Sequence, residues 1–383
     1  MVHNDCELKL RNIMKEPSLR QHSKDRIVAV DIVRIMAAML VMYAHLGEYI
    51  VGGSFQNIND FLSYFSALFF ILAGYFACRN ITWGKAFYNS FWCFAPYMFW
   101  VFIALACRIC EKLYMHQELF PPDIPWYSYI DFTAIFINDW RFAGVHHPVN
   151  VPLWFMRDLI FLFLLSPLLN RCSHWLFPVI LLLSLSPQLG DLFSHRQHTA
   201  VLSPYSIAFF LVGCWLRRMD KGFQHNLLTY CNGWFLLTYP LLWYVLYRWG
   251  KLLPAYSFVY QLYVYWMLYQ LARWIEIHVP HASRVALTLA PVTFLTFATH
   301  FMAWVAIAHL VHPSQFSGWL LLLPILWFGV LALFFFAMKR WARPLLHLVA
   351  HYKLRADDFP PSQQQAFETP DAVSSATGSV ANP

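Results

Sequence analysis

DIVRIMAAMLVMYAH, residues 31–45, decides how this chain is read. Ten consecutive apolar residues separate Arg34 from His45, and Asp31 stands three residues before the arginine. The segment from Ile27 to Ile50 otherwise has the composition of a membrane-spanning helix. A charge near the bilayer centre costs on the order of 3 kcal/mol unless it is paired or faces a water-filled cavity, so ionisable residues there mark functional sites. Eleven residues at about 100° each leave a net rotation of roughly 20°, which places Arg34 and His45 on one helix face, roughly 16 Å apart along the axis. Asp31 lies one turn from Arg34, at a spacing that allows an ion pair.

The composition agrees with a membrane setting. Apolar residues make up 59% of the 383-residue chain and charged residues only 12%, about half the share of a soluble domain. The expected fold is all-α, a polytopic bundle of about ten transmembrane helices. Segments of suitable apolar character lie at 27–50, 61–78, 86–108, 152–169, 175–189, 203–217, 234–249, 255–277, 287–310 and 319–338. The fifth and sixth are short enough to be re-entrant. Residues 1–26 read as a polar, basic tail with no cleavable signal, 27–340 as the membrane domain, and 341–383 as a second tail, disordered from about 356.

Basic residues orient the bundle. Of the 27 lysines and arginines, 19 fall in the tails and in loops on the tail side, and six in loops on the opposite side. By the positive-inside tendency, both termini are cytoplasmic. The net charge of +7 is dispersed around apolar runs and does not indicate a nucleic-acid partner. The partner it implies is the lipid bilayer. No HExxH is present, and the CxxC of Cys107 and Cys110 has no second ligand pair, so no metal site is expected. Packed thiols are the simpler reading of that pair.

Depth then gathers the candidates. With an outward-running first helix, His45 and Glu48 reach the outer leaflet while Arg34 stays nearer the cytoplasm. Trp154, Arg157 and Asp158 fall at the outer end of the fourth segment, and His300 past the middle of the ninth. These six outer residues form one plausible cluster, with Glu48 placed to orient His45. The alternative for Arg157 and Asp158 is that they snorkel to the interface and cap their helix. The loop from about 109 to 151, with the His146–His147 pair, reads as a lid, a sugar-binding surface or an interfacial aromatic belt.

Four motifs carry a resemblance. The Asp–Arg–ten residues–His pattern is the first. FFILAGYF (69–76), PLWFMRDLIFLFLLSPLL (152–169) and TFLTFATH (293–300) are the others. Together they resemble the acyltransferase-3 family of integral membrane acyltransferases. Ala73, Thr293 and Phe297 depart from the family's serine, serine and tyrosine, and its arginine-rich entry to the third helix is reduced to Pro96–Tyr97.

The resemblance implies transfer of an acyl group, most often acetyl, from cytoplasmic acyl-coenzyme A. The acceptor is a hydroxyl of a cell-surface glycan or a lipid-linked sugar, and no cofactor is held. It places the protein in a bacterial cytoplasmic membrane. His45 suits the role of base or acyl-carrying nucleophile, since imidazole titrates near neutrality. Arg34 suits a donor contact through its fixed fork, with Asp31 holding it. Trp154, Arg157, Asp158, His300 and Glu48 are expected at the substrate. A proton-coupled transporter of a small polar solute is the alternative, since it too would hold Arg, Asp and His within helices. A non-catalytic, glycan-binding member of the same fold is a third reading.

Overall fold

In lipid a backbone must satisfy its own hydrogen bonds, and a helix does so within one segment. In the computed structural model the described residues are 27–46, 63–78, 81–114, 151–185, 201–219, 221–231, 257–310 and 321–352. They form helices and connecting turns, with no strand among them. The helices are α1 (Val28–Leu46), α2 (Ala67–Ala77), α3 (Trp83–Tyr114), α4 (Trp154–Ser184), α5 (Pro204–Arg218) and α6 (Lys221–Thr229). They continue as α7 (Ser257–His278), α8 (Ala282–Leu289), α9 (Val292–Leu310), α10 (Leu323–Trp341) and α11 (Leu346–Ala350). The expected seventh segment at 234–249, Glu48 and the loop with His146–His147 lie outside the described residues, as does the chain from 353 on.

Four of these helices, α1, α3, α4 and α10, are long and apolar enough to cross a membrane. The bent pair α8–α9, with 59° between its halves, passes the same test when taken together. Large apolar side chains point outward from them, with Phe87, Phe91 and Leu333 each about 70% exposed, as a lipid-facing surface requires. Helix α1 is the hub. It touches α7, α8, α9 and α10, and eleven of its residues are buried.

The expected fourth and fifth segments are one helix. Residues 170–174, which separate those two segments in the sequence, lie within α4, which runs without interruption over 31 residues. The stretch NRCSH contains no glycine or proline to end a helix. The prolines on either side are accommodated. Pro167 removes the N–H that would serve the Phe163 carbonyl, and the Ser166 hydroxyl donates there instead at 2.6 Å. Arg218 donates to the carbonyls of Asn170 and Arg171 at the same level, which ties the end of α5 to the middle of α4.

The closest packing joins α2 and α5. A Cβ added at Gly74 would collide with the Phe210 carbonyl, and one at Gly213 with the Ile71 carbonyl and the Tyr75 amide. Backbone meets backbone here, as small residues permit in membrane bundles. This contact holds α2 against α5, and α5 in turn lies along α4. Gly213→Ala is therefore expected to lower the thermal midpoint of the detergent-purified protein substantially, since overpacking costs about 1–3 kcal/mol or more. Gly84→Ala, where a Cβ meets nothing within 4 Å, should leave the midpoint unchanged or raise it slightly in the same melting series.

Candidate functional site

Asp31 and Arg34 of α1 pair as their spacing allows. Asp31 is buried, and its Oδ1 lies 4.0 Å from Nη1 of Arg34, one turn on. The arginine side chain is 47% exposed, so its charge is held in an open space rather than in the packed core.

That space is a cavity of about 340 Å³, at the lower end of the ~300–1,000 Å³ range of ligand pockets. Its polar wall holds Arg34, Asn89, Cys93 and His351. The rest is mainly apolar, contributed by α2, α4 and α9. His351, at the end of α11, the last described helix, forms part of one wall. Trp100 Nε1 donates to the Val349 carbonyl at 2.8 Å, and the Trp92 and His347 rings lie 3.6 Å apart between centroids. His351 caps α11 with φ 49°, a left-handed conformation that histidine adopts more readily than most residues. Its Nε2 stands 3.8 Å from the Cys93 thiol, and its ring lies 5.6 Å from that of Phe294. Burial pushes the His351 imidazole down to about 4, and the nearby His347 and Arg34 add to the shift. The Trp92 carbonyl opposes it. That carbonyl is the one that Pro96, lacking an N–H, leaves without its helical donor. His351 is thus a neutral wall residue at neutral pH.

The second polar feature is a histidine pair. His45 at the end of α1 and His300 on α9 have ring centroids 5.1 Å apart. His300 is fully buried, and its Nδ1 lies 2.7 Å from the Thr296 carbonyl, one turn back. A carbonyl only accepts, so Nδ1 carries the proton and the neutral ring has a bare Nε2. That nitrogen is buried without a hydrogen-bond partner. Trp304, one turn further along α9, donates to the Met42 carbonyl at 3.2 Å and fixes α9 to α1 at this level.

Arg157 and Asp158 do not snorkel. They are 1% and 0% exposed, and both Nε and Nη2 of Arg157 approach Oδ1 of Asp158 at 3.1 Å. The Leu202 amide donates to the same oxygen at 3.4 Å, just before α5 begins. That start is capped by Ser203, whose hydroxyl accepts from the Ser206 amide, with Pro204 in the first turn. The pair therefore joins α4 to the head of α5 inside the protein. Trp154 is buried one turn away between Phe70 and Tyr205, at centroid distances of 5.7 and 6.4 Å. Neither this group nor the two histidines lines the cavity.

The candidates thus fall into three sets: Asp31–Arg34 at the cavity, His45–His300, and Trp154–Arg157–Asp158. His351 was missed by sequence reasoning, since LLHLVAHY carries no motif. Cys107 and Cys110 are free thiols on an exposed part of α3 rather than packed ones. Among the described residues no group of three His, Cys, Asp or Glu side chains could hold a metal.

A family model for the Acyl_transf_3 acyltransferase domain matches residues 27–338. The chain belongs to the acyltransferase-3 family and is a membrane acyltransferase. Neither a curated protein nor a solved structure matches it. Helix α11, with His347 and His351, lies beyond the matched residues.

Removing one member of a buried ion pair strands the other charge at a cost of about 3–5 kcal/mol. Asp158→Asn should therefore lower the melting temperature of the purified protein sharply. The double variant Arg157→Met/Asp158→Asn should recover part of the loss, as differential scanning fluorimetry in detergent would read.

Proposed function

We propose that this protein is an O-acyltransferase that moves a short acyl group, acetyl above all, from acyl-coenzyme A to a hydroxyl of a cell-surface glycan or lipid-linked sugar. The protein works in a bacterial cytoplasmic membrane with both termini in the cytoplasm. The observation that carries the reading is one helix with two chemically different ends. Arg34 of α1 opens into a cavity, and His45 on the same helix meets His300.

The donor enters at the Arg34 end. The guanidinium is a permanent cation with a planar donor fork, suited to phosphate or carbonyl oxygens. Asp31 restrains it without covering it, since the ion pair is long and the arginine remains half exposed. The apolar remainder of the cavity takes the thin, uncharged arm that carries the thioester.

The acceptor meets the donor at the His45 end. His45 takes the proton of the acceptor hydroxyl, the oxygen attacks the thioester carbonyl carbon, and an ester C–O bond forms as the C–S bond breaks. The proton held on His45 passes to the departing thiolate, so the imidazole returns to its starting form. His300 is a positioning residue. With its Nδ1 proton committed to Thr296, it presents an acceptor nitrogen beside an imidazole that becomes positive during the reaction. The pair Arg157–Asp158 and Trp154 shape the acceptor side by holding α4 against α5.

Mass spectrometry of surface glycans from cells with the intact gene, with a deletion and with His45→Ala tests the reading. Loss of one acyl increment in both altered strains is expected, with the His45→Ala protein present in the membrane at normal amount. A His45→Ala strain that keeps the modification would sink the mechanism. Arg34→Ala should raise KM for acyl-coenzyme A about tenfold or more, since a charge-assisted contact is worth about 1.5–3 kcal/mol, with a smaller change in kcat.

A further inference from the structure

The cavity and the histidine pair are not continuous. The lining includes three phenyl rings, one from each of three helices: Phe69 of α2, Phe155 of α4 and Phe297 of α9. Phe297 meets Phe69 edge-on at 4.6 Å and Phe155 at 5.0 Å between ring centroids, and Phe69 lies 6.0 Å from Phe155. The three rings close on one another as a triangle. Phe297 also touches His300 edge-on at 6.3 Å, and His300 touches His45. The α9 ladder Phe294, Phe297, His300 advances three residues at a time, from the ring against His351 to the ring against His45. Phe297 thus touches both the Arg34 cavity and the histidine pair, with Phe69 and Phe155 packed against it.

We propose that Phe69, Phe155 and Phe297 form a constriction that the acyl thioester must thread to reach His45, and that its width selects short acyl groups. The inference rests on the donor cavity assigned above and adds a size filter to it. Three features support it. The three rings come from separate helices, so a gap between them is set by tertiary packing and not by one flexible loop. Apolar edges admit a small uncharged acyl group but give no hydrogen bond to water or phosphate, so the charged part of the donor remains with Arg34. A pocket of this kind discriminates by bulk, at about 10–200-fold for each methylene that fits badly.

The test uses inverted membrane vesicles from cells expressing the full-length protein. Radiolabelled acetyl-, butyryl- and octanoyl-coenzyme A are the donors, and label entering the endogenous glycan fraction is read per unit of protein. The wild type is expected to favour acetyl over butyryl by at least tenfold. Phe297→Ala and Phe155→Leu should narrow that preference tenfold or more, chiefly by gaining butyryl transfer. Phe297→Trp should depress both donors. An unchanged acetyl-to-butyryl ratio in Phe297→Ala, Phe155→Leu and Phe69→Leu, in vesicles that still transfer acetyl, overturns the filter and leaves the donor cavity standing. A wild type that transfers no acyl group from any of the three donors overturns the donor reading, and the filter with it. Should the alanine variant fail to accumulate, the two leucine variants decide the outcome alone, since they remove less volume from the packing.

Discussion

The cost of holding an arginine away from water governs where this chain puts its polar groups. Arg157 of α4 and Arg34 of α1 meet that cost differently. Arg157 is enclosed, with two of its nitrogens on one carboxylate oxygen of Asp158 at 3.1 Å. Its charge is matched inside the protein, and the pair fastens the head of α5 to α4 through the Leu202 amide. Arg34 has a carboxylate at 4.0 Å and keeps nearly half its side chain exposed. It also lines the cavity. The enclosed arginine is architectural and the open one faces a ligand-sized space, although both stand in apolar helices with an aspartate close by in sequence.

The helix-packing rules for membranes explain how such a cavity persists. Without a hydrophobic force between helices, close backbone contact and specific side-chain bonds must hold the bundle. Gly74 and Gly213 supply the first for α2 and α5. Trp304 to Met42 and Trp100 to Val349 supply the second for α9 and α11. These contacts fix the helices that contribute the cavity's lining. They position the residues that line it without filling it.

Much of this was legible in the chain. The low charge content marks a membrane bundle, and the eleven-residue step from Arg34 to His45 sets both on one helix. The placement of His300 with His45 followed from helix direction and depth. Other features were hidden for identifiable reasons. The union of the expected fourth and fifth segments depended on a serine hydroxyl replacing a lost amide at Pro167 and on Arg218 reaching across from α5. Hydropathy reports neither. The enclosure of the Arg157–Asp158 pair involves the Leu202 amide, 44 residues beyond Asp158. His351 lies in a segment with no motif, docked by tryptophans of α3. The phenyl triangle draws its rings from three motifs, in a chain where 19% of residues are aromatic, so none of the three stood out.

The triangle gives the proposed reaction a physical order. A thioester hydrolyses if water reaches it together with a base, and the transfer needs the acceptor hydroxyl to arrive in place of water. An apolar plug between the donor cavity and His45 keeps those two meetings apart. A water molecule would find no hydrogen-bond partner among the three rings, so crossing them is costly for it. An acetyl group has little to lose there, since it carries no charge and its methyl is apolar. In the proposed reaction the same rings would bar the phosphates of the donor, which would stay with Arg34. Separation of donor from acceptor then comes from packing geometry within α2, α4 and α9. The departure from the family pattern at Phe297 belongs to this arrangement. A phenol there would place a hydroxyl in or beside the plug and give water a foothold, whereas the phenyl ring keeps the plug wholly apolar.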